Sequence, residues 1–135
     1  MKVDGACHCG QITFTADIEP ERVVLCHCTD CQTLSGSAFR VIVFTREDGL
    51  TITAGTIKTY TKIAQSGRPR EQGFCGNCGT GLYATSPGEG PKVYGVRVGA
   101  LRQRDVLKPT RQIWSASAQR WLANLADLPA IAGQP

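Results

Sequence analysis

Long apolar runs are missing from this chain of 135 residues. No stretch approaches the roughly 18 consecutive apolar residues of a membrane-spanning helix, which excludes a helical membrane protein. The first ten residues, Met1-Lys-Val-Asp-Gly-Ala-Cys-His-Cys-Gly10, hold no apolar stretch of signal-peptide length, so a cytoplasmic, reducing location is expected. Blocks of basic residues are missing as well. The 15 Lys and Arg are scattered among 11 Asp and Glu without forming a run, so no nucleic-acid partner is expected despite a formal charge of +4. Low-complexity linkers are absent. The length suits one domain, residues 1–135, with a real core, and two independent domains are not expected.

What the chain has in excess is cysteine. Its 7 cysteines all fall into tight groups: Cys7-x-Cys9, Cys26-x-Cys28-x-x-Cys31 and Cys75-x-x-Cys78. A disulfide framework fits poorly, because it leaves one thiol over and needs an oxidising compartment. A split into four plus three fits metal better. Cys7, Cys9, Cys75 and Cys78 supply four soft ligands for a closed tetrahedral site, with zinc favoured and iron the main rival. That site would close a loop of about seventy residues and add folding energy outright. Cys26, Cys28 and Cys31 supply three ligands and leave a fourth position open. Zinc with an open position is a Lewis acid that activates a bound water or thiol. Two alternatives stay open for the trio: a second structural zinc with a non-cysteine fourth ligand, or a redox pair at Cys28 and Cys31. Together, seven thiolates and two divalent ions subtract three charges from the formal +4, leaving about +1.

The hydropathy pattern predicts many short strands separated by glycine turns, an all-β arrangement. Strands are expected over 11–18, 23–25, 38–45, 50–54, 57–62, 69–74, 81–85 and 93–98. Gly95 inside the last hints at a bulge or close packing. A helix is expected at the end, over 115–125, capped by Ser117 and with Trp121, Leu122 and Leu125 on one face. Trp114 and Trp121 read as core anchors. His8 and His27 each sit between two cysteines. On extended backbone alternate side chains oppose one another, so both histidines are expected to lie outside the ligand sets, on the surface or just behind the ligands.

The order Gly5-x-Cys7-x-Cys9-Gly10, Cys26-His-Cys28-x-x-Cys31, Gly36, Phe74-Cys75-x-x-Cys78-Gly79, then Ile113 and Trp121, resembles the glutathione-dependent formaldehyde-activating enzyme family, which includes the centromere protein V domain. The match runs from about residue 4 to about residue 129. The resemblance implies a mainly β, Mss4-like β-tent of short antiparallel sheets tied by zinc. It implies structural zinc at Cys7, Cys9, Cys75 and Cys78, and catalytic zinc at Cys26, Cys28 and Cys31. It also implies a carbon–sulfur lyase type of reaction, in which glutathione and formaldehyde give S-(hydroxymethyl)glutathione. A small-molecule thiol is then the expected partner. Glutathione carries two carboxylates, so cations are needed, and Arg40, Lys58, Lys62, Arg68 and Arg70 are candidates. Arg40 leads, because it follows Ser35-Gly-Ser-Ala-Phe39, where Ser35, Ser37 and Phe39 could line a pocket. Gln112 stands where histidine is frequent in that family. The rival readings are a zinc-stabilised protein-binding module and a zinc enzyme for another small thiol.

Overall fold

The computed structural model describes residues 1–135. Eight strands make up most of it: β1 (Lys2–Ala6), β2 (Thr13–Cys26), β3 (Arg40–Ala54), β4 (Ile57–Ile63), β5 (Pro69–Cys75), β6 (Gly81–Thr85), β7 (Gly95–Arg97) and β8 (Arg111–Ile113). One helix, α1 (Thr29–Ser35), interrupts them. No helix is long and apolar enough to cross a membrane.

The strands pair in the order β1-β2-β3-β7-β6-β5-β4, antiparallel throughout, and β8 adds to β2 in parallel. The hydrogen-bond order is therefore continuous, where separate small sheets were expected. The reason lies in β2 and β3. The expected strands 11–18 and 23–25 fuse into one strand of 14 residues, and 38–45 fuses with 50–54 into one of 15. Register shifts between Ala16 and Ile18, and between Ile18 and Val23, bend the pair. Bulges of this kind strengthen twist and let one sheet turn through several faces.

Alternation along β2 puts Phe14, Ala16 and Ile18 inside and leaves Thr15 exposed. These pack with Val3, Val43, Leu82, Val96 and Leu101 into the main core. Fully burying side chains such as Phe14 and Ile18 stabilises by about 1.5–3 kcal/mol each. Gly95 is a matter of close packing: a Cβ there would meet Ile42 Cγ2 at 3.0 Å.

The expected C-terminal helix is not an α-helix. Arg120–Asp127 forms 3-10 turns kinked at Asn124, and no side chain caps them; Ser117 lies in a separate turn, Ser115–Ser117. The apolar face found in the sequence is covered only at Leu122, which is half-buried, while Trp121 and Leu125 face solvent. Trp121 stays 51% exposed and Trp114 45%, so neither anchors the core.

Candidate metal centres and the adjoining cavity

Two turns build the first centre. Cys7 and Cys9 follow β1, and Cys75 and Cys78 span the turn from β5 to β6. β1 is first in the sheet order and β5 sixth, so the sheet has to curl until these ends meet. The four Sγ atoms lie within 4.8 Å of one another, with Cys7 to Cys9 at 3.5 Å and Cys9 to Cys75 at 3.8 Å. A tetrahedron of thiolates about 2.3 Å from zinc has edges of roughly 3.8 Å, so these sulfurs fit a zinc ion. Gly10 and Gly79, each next to a cysteine pair, have φ of 79° and 78°, a left-handed turn that glycine adopts without strain. Backbone donors point at the sulfurs: the Ile12 N–H donates to Cys7 Sγ at 3.2 Å. Thr80 hydrogen-bonds Cys78 through its hydroxyl and its backbone, which holds that thiol down at about 5. The Cys9 thiol is also lowered, first by the Asn77 side chain. The setting favours thiolates, the form that binds metal, at Cys78 and Cys9, while the Cys75 thiol of the same group is raised.

The second centre sits where β2 runs into α1. Cys26 ends the strand, Cys28 is the N-cap and Cys31 lies in the first turn. The Cys31 N–H donates to Cys28 Sγ at 3.3 Å, so one cysteine caps the helix that positions the next. Gly36 closes the helix in the left-handed region at φ 62°. All three sulfurs are buried and within 4.8 Å of one another. The three thiols are unequally acidic. Hydrogen bonding with Cys31 lowers the Cys26 thiol, and the same bond, with burial, raises Cys31. Three mutually close sulfurs fit one face of a metal tetrahedron, with the fourth vertex free.

A cavity of about 210 Å³ adjoins this trio. Its apolar wall includes Ile42, Phe44 and Ile113. Its polar wall holds Arg40, Lys62, Arg70 and Arg97, with no Asp or Glu among the lining. Lys62 is occupied, its Nζ 2.5 Å from Asp30 Oδ2. Arg97 is 8% exposed and donates through Nη2 to Gln72 Oε1 at 2.7 Å. Its Nε has no partner. Burial, with Arg40 nearby, pushes the Arg97 guanidinium down to about 9. Trp114 borders the same cavity with φ 56°, a left-handed conformation that costs a non-glycine residue on the order of 1–3 kcal/mol.

Of the cations expected from sequence, Arg40, Lys62 and Arg70 reach this cavity. Lys58 and Arg68 do not line it; the Lys58 stem passes Gly76, beside the other centre. Ser35 and Ser37 are exposed and stand outside it. Phe39 packs edge-on against His27 at 5.9 Å rather than lining the cavity. Neither histidine joins a cysteine group, as expected: His8 is exposed, and His27 is fully buried behind its neighbours Cys26 and Cys28. His27 Nε2 hydrogen-bonds Gln112 Oε1 at 2.7 Å, and its Nδ1 has no partner. Sequence reading missed Arg97 and Gln72. A period-two count from Gly95 places Arg97 on the same face as that tightly packed glycine, but nothing local marks that face as the cavity side.

A curled, mainly antiparallel sheet with four cysteines joining its ends and three opening on a cavity defines a class of cysteine-rich metal-binding β-proteins, consistent with the Mss4-like fold. Within that class, residues 2–117 match the family model for the glutathione-dependent formaldehyde-activating enzyme, and the chain belongs to that family. A Rhodobacter sphaeroides protein, solved as a structural-genomics target, shares the fold. The two align with a TM-score of 0.61 and 21% identity, over 81% of this chain and 98% of that one. No curated protein matches the chain.

Proposed function

We propose that the protein is a zinc-dependent enzyme acting on a small thiol and its carbonyl adduct, a carbon–sulfur lyase type of chemistry. The observation that carries this reading is the buried trio Cys26, Cys28 and Cys31 opening on a cavity lined by cations. A zinc ion held by these three sulfurs would supply one open coordination position that favours a substrate sulfur in its deprotonated form. Cys28 and Cys31 are fixed by the cap of α1, which holds both thiols at the cavity wall. Ile42, Phe44 and Ile113 limit water around the reacting sulfur. The guanidiniums draw and orient a negatively charged thiol.

In the family's named reaction, glutathione sulfur bonds to the carbon of formaldehyde, the carbonyl π bond breaks, and its oxygen takes the proton that the thiol gives up. The cavity's part in such a step is to hold sulfur and carbonyl carbon at short range. Cys7, Cys9, Cys75 and Cys78 take the structural role, holding a second zinc. The seven free thiols suit a reducing, cytoplasmic setting.

Calorimetric titration of protein verified to hold two zinc ions per chain tests the reading. Glutathione is expected to bind measurably, and its S-methyl derivative at least about tenfold more weakly, because a thioether is a poor zinc ligand. Equal affinities would overturn the sulfur site.

A further inference from the structure

The deepest cation of the cavity faces no carboxylate. Arg97 lies in β7, nine-tenths buried, and its side-chain hydrogen bond is to Gln72 on β5. Arg40, at the start of β3, reaches the same Gln72 oxygen at 3.5 Å. Two like charges therefore converge on one neutral acceptor. Arg70 lines the cavity too and donates to the Ser86 hydroxyl at 3.1 Å. None of the three guanidiniums forms an ion pair with Asp or Glu, although Met1, Lys2, Arg22, Arg46, Lys62 and Arg102 all do.

Stability does not account for this arrangement. Burying a charge is costly, and an apolar residue of similar volume would pack β7 without that cost. Nor is it needed to neutralise the cysteine trio. Three thiolates on a divalent ion leave a single negative charge, against three guanidiniums, so a surplus of about two positive charges remains. Guanidinium carries five donors in a planar fork, of which Gln72 takes one from Arg97; a carboxylate offers two oxygens in the matching geometry.

We propose that Arg97, Arg40 and Gln72 form a carboxylate seat, and that the substrate is a thiol acid, a small thiol with a carboxylate close enough to its sulfur for both to share this cavity. The proposal rests on the reading of Cys26, Cys28 and Cys31 as the thiol site. It assigns a specificity role to Arg97. Gln72 acts as the crosspiece that spaces the two guanidiniums, since its oxygen accepts from both. All three residues belong to strands, which hold a site more firmly than loops. The cavity, at about 210 Å³, falls below the range of about 300–1,000 Å³ typical of clefts for larger ligands, so it suits a compact acid. Arg40, Gln72 and Arg97 also border a groove of about 310 Å³ lined by Tyr60, Phe74 and Tyr83. The seat stands at a junction, and a longer thiol acid has somewhere to continue.

The test titrates zinc-loaded protein with mercaptoacetate, 2-mercaptoethanol and (methylthio)acetate, with zinc content measured before and after. Mercaptoacetate should bind at least about tenfold more tightly than 2-mercaptoethanol, the value of one good charge-assisted contact. Arg97→Gln should erase that advantage and change 2-mercaptoethanol binding less than about twofold. If Arg97→Gln fails to fold, Arg40→Gln, at a half-exposed position, should cut the advantage several-fold. Equal binding of mercaptoacetate and 2-mercaptoethanol to the parent protein would overturn the proposal, as would a substitution that weakens both alike. (Methylthio)acetate separates the two readings. If it binds as well as mercaptoacetate and loses that affinity in Arg97→Gln, the seat stands and the sulfur site fails. If 2-mercaptoethanol binds and neither carboxylate depends on Arg97 or Arg40, the sulfur site stands and the seat fails.

Discussion

The two cysteine centres use the same ligand and differ in almost everything else. The four-cysteine centre brings together turns 66 residues apart and reaches from the core to the surface, with Cys7 and Cys75 buried, Cys78 half-buried and Cys9 exposed. The three-cysteine centre spans six residues of local sequence and is buried throughout, yet it opens on a cavity. The two buried side-chain atoms without a partner, His27 Nδ1 and Arg97 Nε, belong to the three-cysteine side: His27 stands between two of its ligands and Arg97 lines its cavity. Exposure is therefore a poor guide to which centre adjoins the cavity. The four-cysteine group supplies a full tetrahedral ligand set between the turn after β1 and the turn after β5. The three-cysteine group offers one ligand fewer than a closed tetrahedron needs, and two unpartnered buried polar atoms lie near it.

The largest way to break this contrast is by substitution. Cys75→Ser removes a ligand that ties β5 to the turn after β1, and should cost more than about 4 kcal/mol, most of the stability of a small domain. Cys28→Ser should cost far less. Its cluster closes no long loop, and serine is a good N-cap, so the Cys31 N–H keeps an acceptor and α1 survives. Thermal melts followed by circular dichroism are the measurement, with thiol binding lost in Cys28→Ser. Equal collapse of both variants would make the second centre structural too.

A smaller effect sharpens the same comparison. Graded chelation should strip the three-cysteine centre first, because it has one ligand fewer and faces a cavity. Elemental analysis should find one zinc ion retained at a stage where the circular dichroism spectrum is unchanged. Loss of the fold together with the first ion would reverse the roles of the two centres.

The smallest effect lies away from both. Asp17 hydrogen-bonds Lys2 and the N-terminal ammonium of Met1, and the Lys2 contact is the larger cause of its lowered pKa. A carboxyl lowered in the folded state stabilises above its unfolded pKa, and that contribution is lost as pH falls through the folded value. The pairs are exposed, so Asp17→Asn should lower the melting temperature only slightly at neutral pH, and less still in strong acid. A growing difference between the two proteins on acidification would contradict this assignment.

Some of this was legible in the sequence for a definite reason. Metal ligands close together in sequence announce themselves by spacing, because a Cys-x-Cys or Cys-x-x-Cys pair needs little beyond local backbone geometry. The alternation through Phe14, Ala16 and Ile18 likewise set the inward face of β2, since strand side chains alternate with period two. Helix α1 escaped notice because its cap is a cysteine, outside the usual set of capping side chains, and because it is only seven residues long. The C-terminal run failed in the opposite way. Its apolar spacing is helical, but with no surface for Trp121 and Leu125 to cover, packing cannot hold a regular helix there.

The sequence by itself determined the two cysteine groups, their four-and-three division, the β class and the family. These depend on residue type and short spacing, both written in the chain. Tertiary structure alone decided that β1 and β5 meet across the curled sheet, that the trio opens on a cavity, and that Arg97 and Gln72 lie beside it while Ser37 and Phe39 do not. Those facts depend on strand order and on the bends in β2 and β3. Arg40, Gln72 and Arg97 are far apart in sequence, and only the pairing of β3 with β7, of β7 with β6 and of β6 with β5 brings their side chains to one point.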